Sequence, residues 1–181
     1  MRCIALLRGI NVSGQKSLKM ADLKKAFELL SFGHVLTYAQ SGNVIFDCDS
    51  SERASLVEHF EKGLSEAFGV PLKVIIRTHQ ELEQIVKNNP LVRRAHVKPD
   101  KLHVTFLFDT PDETAALTLE AKLGRGEMYQ IIGNEVYLYC PNGYARTKLS
   151  NAMVEAKLKT IATTRNWKTV NKLLVLSAAS T

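Results

Sequence analysis

CIALLRGINVSGQKS, residues 3–17, joins an apolar run to a loop that contains glycine and polar residues. Residues 3–7 have the length and composition of a strand that is buried on both faces of a sheet. Arg8 follows that strand directly, so a rigid element positions its guanidinium, and binding residues often lie in loops held this way. Met20, Leu23, Phe27 and Leu30 then recur at helical spacing, which predicts a helix over 19–31.

The next segment predicts a hairpin followed by a helix and a strand. Two apolar runs, 35–40 and 44–48, flank the turn signal Ser41-Gly42-Asn43. Asp49, Ser50 and Ser51 supply the cap of a helix that ends at Gly69, and a strand follows over 72–77. The order strand, helix, strand, strand, helix, strand is the split βαβ, or ferredoxin-like, pattern.

The second half repeats most of that order. Thr78 and Glu81 form a capping box for a short helix, and a basic segment follows the Asn88-Asn89-Pro90 stretch. A strand over 102–108, a helix start at 110–113 and a hairpin around Gly133-Asn134 come next. Ser150 caps a further helix, and Trp167, Val170 and Leu174 indicate a last one.

We therefore predict an α+β protein of two ferredoxin-like (split βαβ) repeats, with antiparallel or mixed sheets packed together. The predicted boundaries are 1–88 for the first half with its short helix, 89–101 for a basic connector and 102–181 for the second half. In the strand order 4-1-3-2 we expect the first and third strands to run parallel. Arg8 and Ser41 would then lie at opposite ends of the sheet, roughly 20 Å apart.

Composition and residue spacing argue against a membrane protein, a secreted protein and a metal site. The chain has 181 residues and a net charge of +6 from scattered Lys and Arg, which weakly favours acidic partners. No apolar run approaches a membrane span and no signal-peptide pattern is present, so we expect a cytoplasmic protein. The three cysteines lack CxxC spacing and the five histidines lack HxH or HExxH spacing, so we expect reduced, buried thiols, no metal and no cofactor.

Three stretches, LLRGINVSG, TYAQSGNVIF and TTRNWKTVNKLL, resemble the DUF1697 family of small bacterial proteins, whose function is not established. The resemblance implies an α+β fold with ferredoxin-like repeats and implies no reaction. Ser13, Ala39 and Thr147 depart from the family pattern. The motif residues that the resemblance carries over are Arg8, Gly9, Asn11, Val12, Gly14, Tyr38, Ser41, Gly42, Asn43, Lys148, Thr164, Arg165, Asn166, Trp167 and Thr169.

The loop after the first strand resembles a phosphate-binding loop but has one inserted residue. In a true P-loop the Lys directly follows the second glycine, whereas Gln15 separates Gly14 from Lys16. The ferredoxin-like order also differs from a parallel nucleotide-binding sheet. A Gly-rich helix start with Arg8 and Lys16 can still hold a phosphate or carboxylate. The favoured alternative is a structural loop with a solvated Arg8.

The last motif has two interpretations. Thr164 or Asn166 can cap the final helix while Trp167 anchors its first turn, which is a structural role. Alternatively, Arg165 projects from the helix N-terminus and, with exposed Asn and Thr donors, contacts an anion. The candidate binding residues of the whole chain are Arg8, Asn11, Gly14, Lys16, Ser41, Asn43, Lys148, Arg165 and Asn166.

Three functional hypotheses follow. The first is a binding module for a phosphate- or carboxylate-bearing ligand such as a nucleotide or nucleic acid. Only Phe46 is aromatic on the two central strands, so nucleic acid would have to contact loops and basic helices. The second is a structural or interaction protein whose motif residues hold the two halves together. The third is an enzyme, but the sequence shows no recognisable pair of nucleophile and base. Ser13 and Lys16 do have the SxxK spacing of some serine acyl-transfer enzymes, but the SDN and KTG motifs that accompany it in those enzymes are absent.

Overall fold

β1 (Arg2–Arg8) lies in the interior of a four-stranded antiparallel sheet, with a strand paired to each of its edges. The structure is a computed structural model that describes residues 1–11, 18–48, 53–112, 114, 115, 119 and 123–178. The chain divides into two units, Met1–Glu83 with Lys172–Thr181, and Gln84–Asn171. In the predicted boundaries, residues 84–88 belong to the first half and residues 172–181 to the second. No helix in the described part is long and apolar enough to cross a bilayer.

The first sheet has the predicted strand order but a different strand direction. Its order is β2-β3-β1-β4, and β1 is antiparallel to both of its neighbours. The parallel pairing expected for the first and third strands is therefore wrong. α1 returns the chain to the start of β1, so β2 runs with β1, and the hairpin then reverses β3. The elements are α1 (Met20–Leu29), β2 (Gly33–Tyr38), β3 (Asn43–Asp47), α2 (Arg53–Phe68), β4 (Lys73–Thr78) and α3 (His79–Lys87).

Alternate residues of β1 face the two sides of the sheet, and both sides are buried. Cys3, Ala5 and Leu7 pack in the core cluster that contains the α1 and α2 side chains. In that cluster the rings of Phe27 and Phe60 stack with centroids 4.4 Å apart. Because the residues between them on β1 are also buried, the prediction of a strand covered on both faces is confirmed.

The second unit repeats the first sheet strand for strand. Its order is β6-β7-β5-β8, again antiparallel, so the prediction of an α+β protein with two repeats is confirmed. Arg77 lies opposite Ile4, and Arg165 lies opposite Val104 at the equivalent place. The elements are β5 (Leu102–Leu107), β6 (Met128–Ile132), β7 (Glu135–Tyr139), α4 (Asn151–Leu158), β8 (Ala162–Asn166) and α5 (Trp167–Ala178).

Helix caps agree with the sequence where the structure describes them. Glu81 N donates to Thr78 Oγ1 over 3.2 Å and Thr78 N donates to Glu81 Oε2 over 2.8 Å, which is the predicted capping box. Met153 N donates to Ser150 Oγ at the start of α4. The proposed cap at residues 49–51 and part of the helix predicted after 110–113 lie outside the described residues.

Gly42→Ala is expected to lower the free energy of unfolding by about 2–4 kcal/mol. Gly42 has φ +74°, and an added Cβ would lie 2.3 Å from Ile10 Cδ1 and 3.0 Å from Leu7 Cβ. Gly69 is the matched control, since it has φ +68° with no atom within 4 Å of the added Cβ. Gly69→Ala should cost about 1 kcal/mol, from backbone strain alone. Urea unfolding measures both, and equal losses would contradict the contact argument.

Protonation of Glu81 should account for part of the fall in the free energy of unfolding at low pH. Burial alone would raise the pKa of this carboxyl, but Arg53 and the Thr78 N–H outweigh burial and lower the pKa below its ordinary 4.5. A lowered folded-state pKa stabilises the fold at pH values above the ordinary pKa, and the contribution is lost as the pH falls through the folded-state pKa. The stability difference between wild type and Glu81→Gln should therefore shrink as the pH falls from 6 toward 3 in urea titrations, roughly the range where carboxylates titrate. Glu83→Gln is the charge-matched control, because it removes an exposed carboxylate from the same helix. If both variants showed the same dependence of stability on pH, the role given to Glu81 would be contradicted.

Candidate functional site

A cleft of about 810 Å³ opens where β1 ends in the first unit. Its described walls come from the β1–α1 connection, one face of α1, the end of α2 and the start of β4. The volume lies within the range typical of small-molecule sites. Of the predicted site residues, Arg8 lines this cleft directly.

Among the described residues that line the cleft, cations outnumber carboxylates. Arg8, Lys19, Lys25 and Lys73 line it together with one acidic residue, Asp22. Lys73 Nζ donates to Glu61 Oε2 over 2.6 Å, which offsets part of its charge. In the described part of the chain, no salt bridge includes Lys19 or Lys25. Among the described lining residues, Lys19 and Lys25 therefore carry positive charge that no salt bridge offsets.

The rest of the cleft lining is mainly apolar. Ala26, Phe68 and Leu72 belong to it, and so do Leu29 and Val70. Leu29 is 85% exposed and Val70 41% exposed, although large apolar side chains are usually buried. Exposed apolar groups beside cations suit a ligand that has both an apolar body and a negative charge.

Sequence reasoning missed the lysines and the apolar wall. Asp22, Lys25 and Leu29 recur every three or four residues, so they share one face of α1. This spacing is the sequence signal that could have identified the cleft wall. It is not specific, because a helix face exposed to solvent has the same pattern. Lys73 joins the cleft only because β4 pairs beside β1, a fact that depends on the topology.

Asn11 is hydrogen-bonded to Leu18, the next described residue of the chain. Its Oδ1 accepts a hydrogen bond from Leu18 N over 2.6 Å, and its Nδ2 donates to Leu18 O over 2.9 Å. Nδ2 also donates to Gln40 O over 2.8 Å. These partners are backbone groups, so they give Asn11 a structural role at the cleft border. The predicted site residues Gly14 and Lys16 lie outside the described residues.

The motif at the β2–β3 turn contacts the motif at the end of β1. Leu7 N donates to Gly42 O over 2.9 Å, so the end of β1 adjoins the β2–β3 turn. The expectation that Arg8 and Ser41 lie at opposite ends of the sheet is wrong, because β1 and β3 are antiparallel. Asn43 is fully buried and its Nδ2 donates to Tyr38 O and to Ser41 Oγ. Asn43 therefore braces the turn, while Ser41 is exposed.

The predicted residues of the third motif belong to the second unit. Lys148 is exposed. Asn166 Oδ1 accepts a hydrogen bond from Thr169 N over 2.8 Å, which identifies Asn166, rather than Thr164, as the cap of α5.

Arg165 does not project from the helix N-terminus. It is 5% exposed, so the expectation of an exposed guanidinium is wrong. Arg165 precedes the helix as a residue of β8, where it shares a sheet face with the buried Thr163. Its Nη1 donates to Thr163 Oγ1 over 2.7 Å and to Thr164 O over 3.0 Å. Burial lowers the pKa of Arg165 to about 10, which still leaves the group charged at neutral pH.

A second polar cluster lies in the second unit. Thr164 Oγ1 donates to Asn151 Oδ1 over 2.6 Å and accepts from the Tyr144 hydroxyl over 2.9 Å, while Thr105 Oγ1 lies 2.7 Å away. The His103 ring stacks on Tyr144, and burial lowers the pKa of His103. These residues come from separate elements, so no local sequence pattern identified them. Across the described ranges, no three His, Cys, Asp or Glu residues form a group able to hold a metal ion.

Residues 1–137 match the family described as "Protein of unknown function (DUF1697)". The chain belongs to this family. The match includes the first two motifs and ends before Lys148 and the third. A solved structure described as the conserved bacterial protein SP0830 from Streptococcus pneumoniae is similar over 97% of this chain and 98% of its own, with a TM-score of 0.75 and 22% identity. That likeness concerns the fold. No curated protein matches this DUF1697 chain.

Asn11→Ala should lower the free energy of unfolding by about 2 kcal/mol, because several backbone groups lose their partner and Ala disfavours positive φ. Asn11 has φ 52°. Asn11→Gly is the matched control: it removes the same hydrogen bonds but adopts this φ without strain, so it should cost less. Urea unfolding of both variants measures the difference, and wild-type stability in Asn11→Ala would refute the structural role.

Proposed function

We propose that this DUF1697 protein binds a small amphipathic anion in the cleft at the end of β1. The observation that carries the proposal is the adjacency of exposed apolar side chains, Leu29 and Val70, to the cations Arg8 and Lys25. The ligand class is a phosphate or carboxylate attached to an apolar or aromatic body, such as a nucleotide or an aryl or acyl acid.

The charge arrangement supports an anion. Arg8 stands at the end of a strand buried on both faces, so its backbone is held rigidly. Lys19 is the N-cap residue of α1 without a side-chain cap, and Lys25 lies further along the same helix. The N-terminus of a helix favours negative charge, and a guanidinium forms paired hydrogen bonds with phosphate or carboxylate.

The shape supports a small molecule over nucleic acid. The cations surround one concave cleft, whereas nucleic-acid surfaces usually carry basic stripes that follow the phosphate backbone. Most of the lining is apolar, as in sites that enclose the body of a small ligand. Arg165 and Asn166, earlier candidates for the same function, have structural partners in the second unit and are not part of this proposal.

The alternative of a structural role for the motif residues keeps one observation in its favour. Asn11 and Asn43 direct their side chains to backbone groups of the first unit. These contacts explain why the fold needs the motifs without any ligand. They do not explain the exposed Leu29 or the lysines of the cleft, and on that ground the binding proposal is preferred.

Thermal-shift and calorimetric titrations with inorganic phosphate, mononucleotides, aryl and medium-chain carboxylates, and their uncharged analogues test the proposal. An amphipathic anion at 100 times its Kd should stabilise the protein by about 2.7 kcal/mol. The uncharged analogues should produce little or no shift. Lys25→Ala and Leu29→Ser should each weaken binding about tenfold while leaving the Tm of the free protein nearly unchanged, since both side chains are exposed.

Matched controls lie outside the cleft in the same unit. Lys62→Ala removes an exposed lysine of α2, and Leu36→Ser removes an exposed apolar residue of β2. Both should bind like wild type. Binding that is unaffected by Lys25→Ala and Leu29→Ser, or the absence of any shift across the panel, would overturn the cleft proposal and favour the structural alternative.

A further inference from the structure

Two of the three cysteines meet in the first unit. Cys3 lies on β1 opposite Phe46, and Cys48 lies two residues beyond Phe46, so both side chains point to the same face of the sheet. Their Sγ atoms are 3.1 Å apart, and both residues are buried. The two positions are separated by 45 residues in sequence, so no CxxC spacing could reveal the pair.

We infer that Cys3 and Cys48 are a modification site that closes into a reversible disulfide when the protein meets a hydroperoxide or an oxidised thiol compound. A disulfide has S–S of about 2.05 Å, so the sulfurs need to approach by only about 1 Å. This inference concerns the sulfur pair alone and does not depend on ligand binding in the cleft.

The position of the pair gives the oxidant a route. Cys48 follows the last residue of β3, and its backbone pairs with Met1 through Cys48 N to Met1 O over 3.0 Å and Met1 N to Cys48 O over 2.7 Å. Met1 is 54% exposed, so this backbone pair beside Cys48 borders solvent. Local opening of the pair admits an oxidant without global unfolding.

The oxidation has two steps. One of the two thiols, as its thiolate, attacks a peroxide oxygen and becomes a sulfenic acid, releasing water from hydrogen peroxide or an alcohol from an organic hydroperoxide. The other thiol then attacks that sulfur, a water leaves and the disulfide forms. Burial first, then the hydrogen bond and charge of Cys48, raise the pKa of Cys3, which makes its thiolate scarce and the reaction slow. The peroxide is reduced, the thiols are oxidised, and a dithiol reductant reverses the change.

Cys140 supplies an internal comparison. It is buried in the second unit, and burial raises its pKa to about 11. The described structure gives it no cysteine within hydrogen-bond distance. Under the same oxidant Cys140 should remain a thiol.

The experiment oxidises the full chain with hydrogen peroxide, alkylates it in denaturant and maps the peptides by mass spectrometry. Wild type and Cys140→Ala should lose the mass of two hydrogens and yield one peptide that joins Cys3 to Cys48. The oxidised form should melt roughly 5 °C or more above the reduced form, because the link closes a long loop. Cys3→Ala and Cys48→Ala should show neither the intramolecular link nor the Tm increase.

A second experiment tests whether a negative result arises only because the oxidant reaches the buried cysteines slowly. The reduced protein is equilibrated in a glutathione redox buffer with mild urea, which populates open forms, and is then returned to native conditions. The Cys3–Cys48 disulfide should accumulate there as well. Fully alkylated Cys3 and Cys48 in both arms, or a link from either residue to Cys140, would overturn the inference.

Discussion

The antiparallel pairing of β1 with β3 is the constraint on which the first unit depends. It places Leu6 opposite Asn43 and lets Leu7 N donate to Gly42 O. Two sequence motifs that are some thirty residues apart therefore meet at one end of the sheet. The close approach of Gly42 to Ile10 leaves no room for a Cβ, so the glycine is required by the contact as well as by its φ.

That junction separates two kinds of motif residue. Asn11 and Asn43 turn inward and satisfy backbone groups, which costs less than leaving those groups unpaired. Arg8 lies one step beyond the last buried position of β1 and belongs to the cleft wall. The motifs thus contain asparagines that bind backbone groups and an arginine that the end of β1 places at the cleft. Residue identity alone does not distinguish the two.

Local sequence patterns predicted the helices, strands and turns well. They predicted poorly how segments distant in sequence are arranged. The capping box of Thr78 and Glu81 and the hairpin at Gly133-Asn134 depend on neighbours in sequence, and both are present. The parallel direction expected for the first and third strands was wrong, because the α1 connection makes β2 run with β1 and the hairpin then reverses β3. Arg165 was misplaced for a related reason: it belongs to the end of β8, where burial outweighs the preference of a guanidinium for water. The lysines of the cleft and the Cys3–Cys48 contact likewise arise between distant segments.

The ends of β1 and β5 correspond to each other, since Leu107 N donates to Asn134 O as Leu7 N does to Gly42 O. By that correspondence the position of Arg8 is taken in the second sheet by Phe108, and that of Gly9 by Asp109. The repeated strand order therefore ends one inner strand in a guanidinium and the other in an aromatic ring followed by a carboxylate. Under the proposed function, the position at the end of β5 lacks the charge of Arg8 and adds the opposite charge of Asp109, so the repeat of the fold does not repeat the proposed anion site.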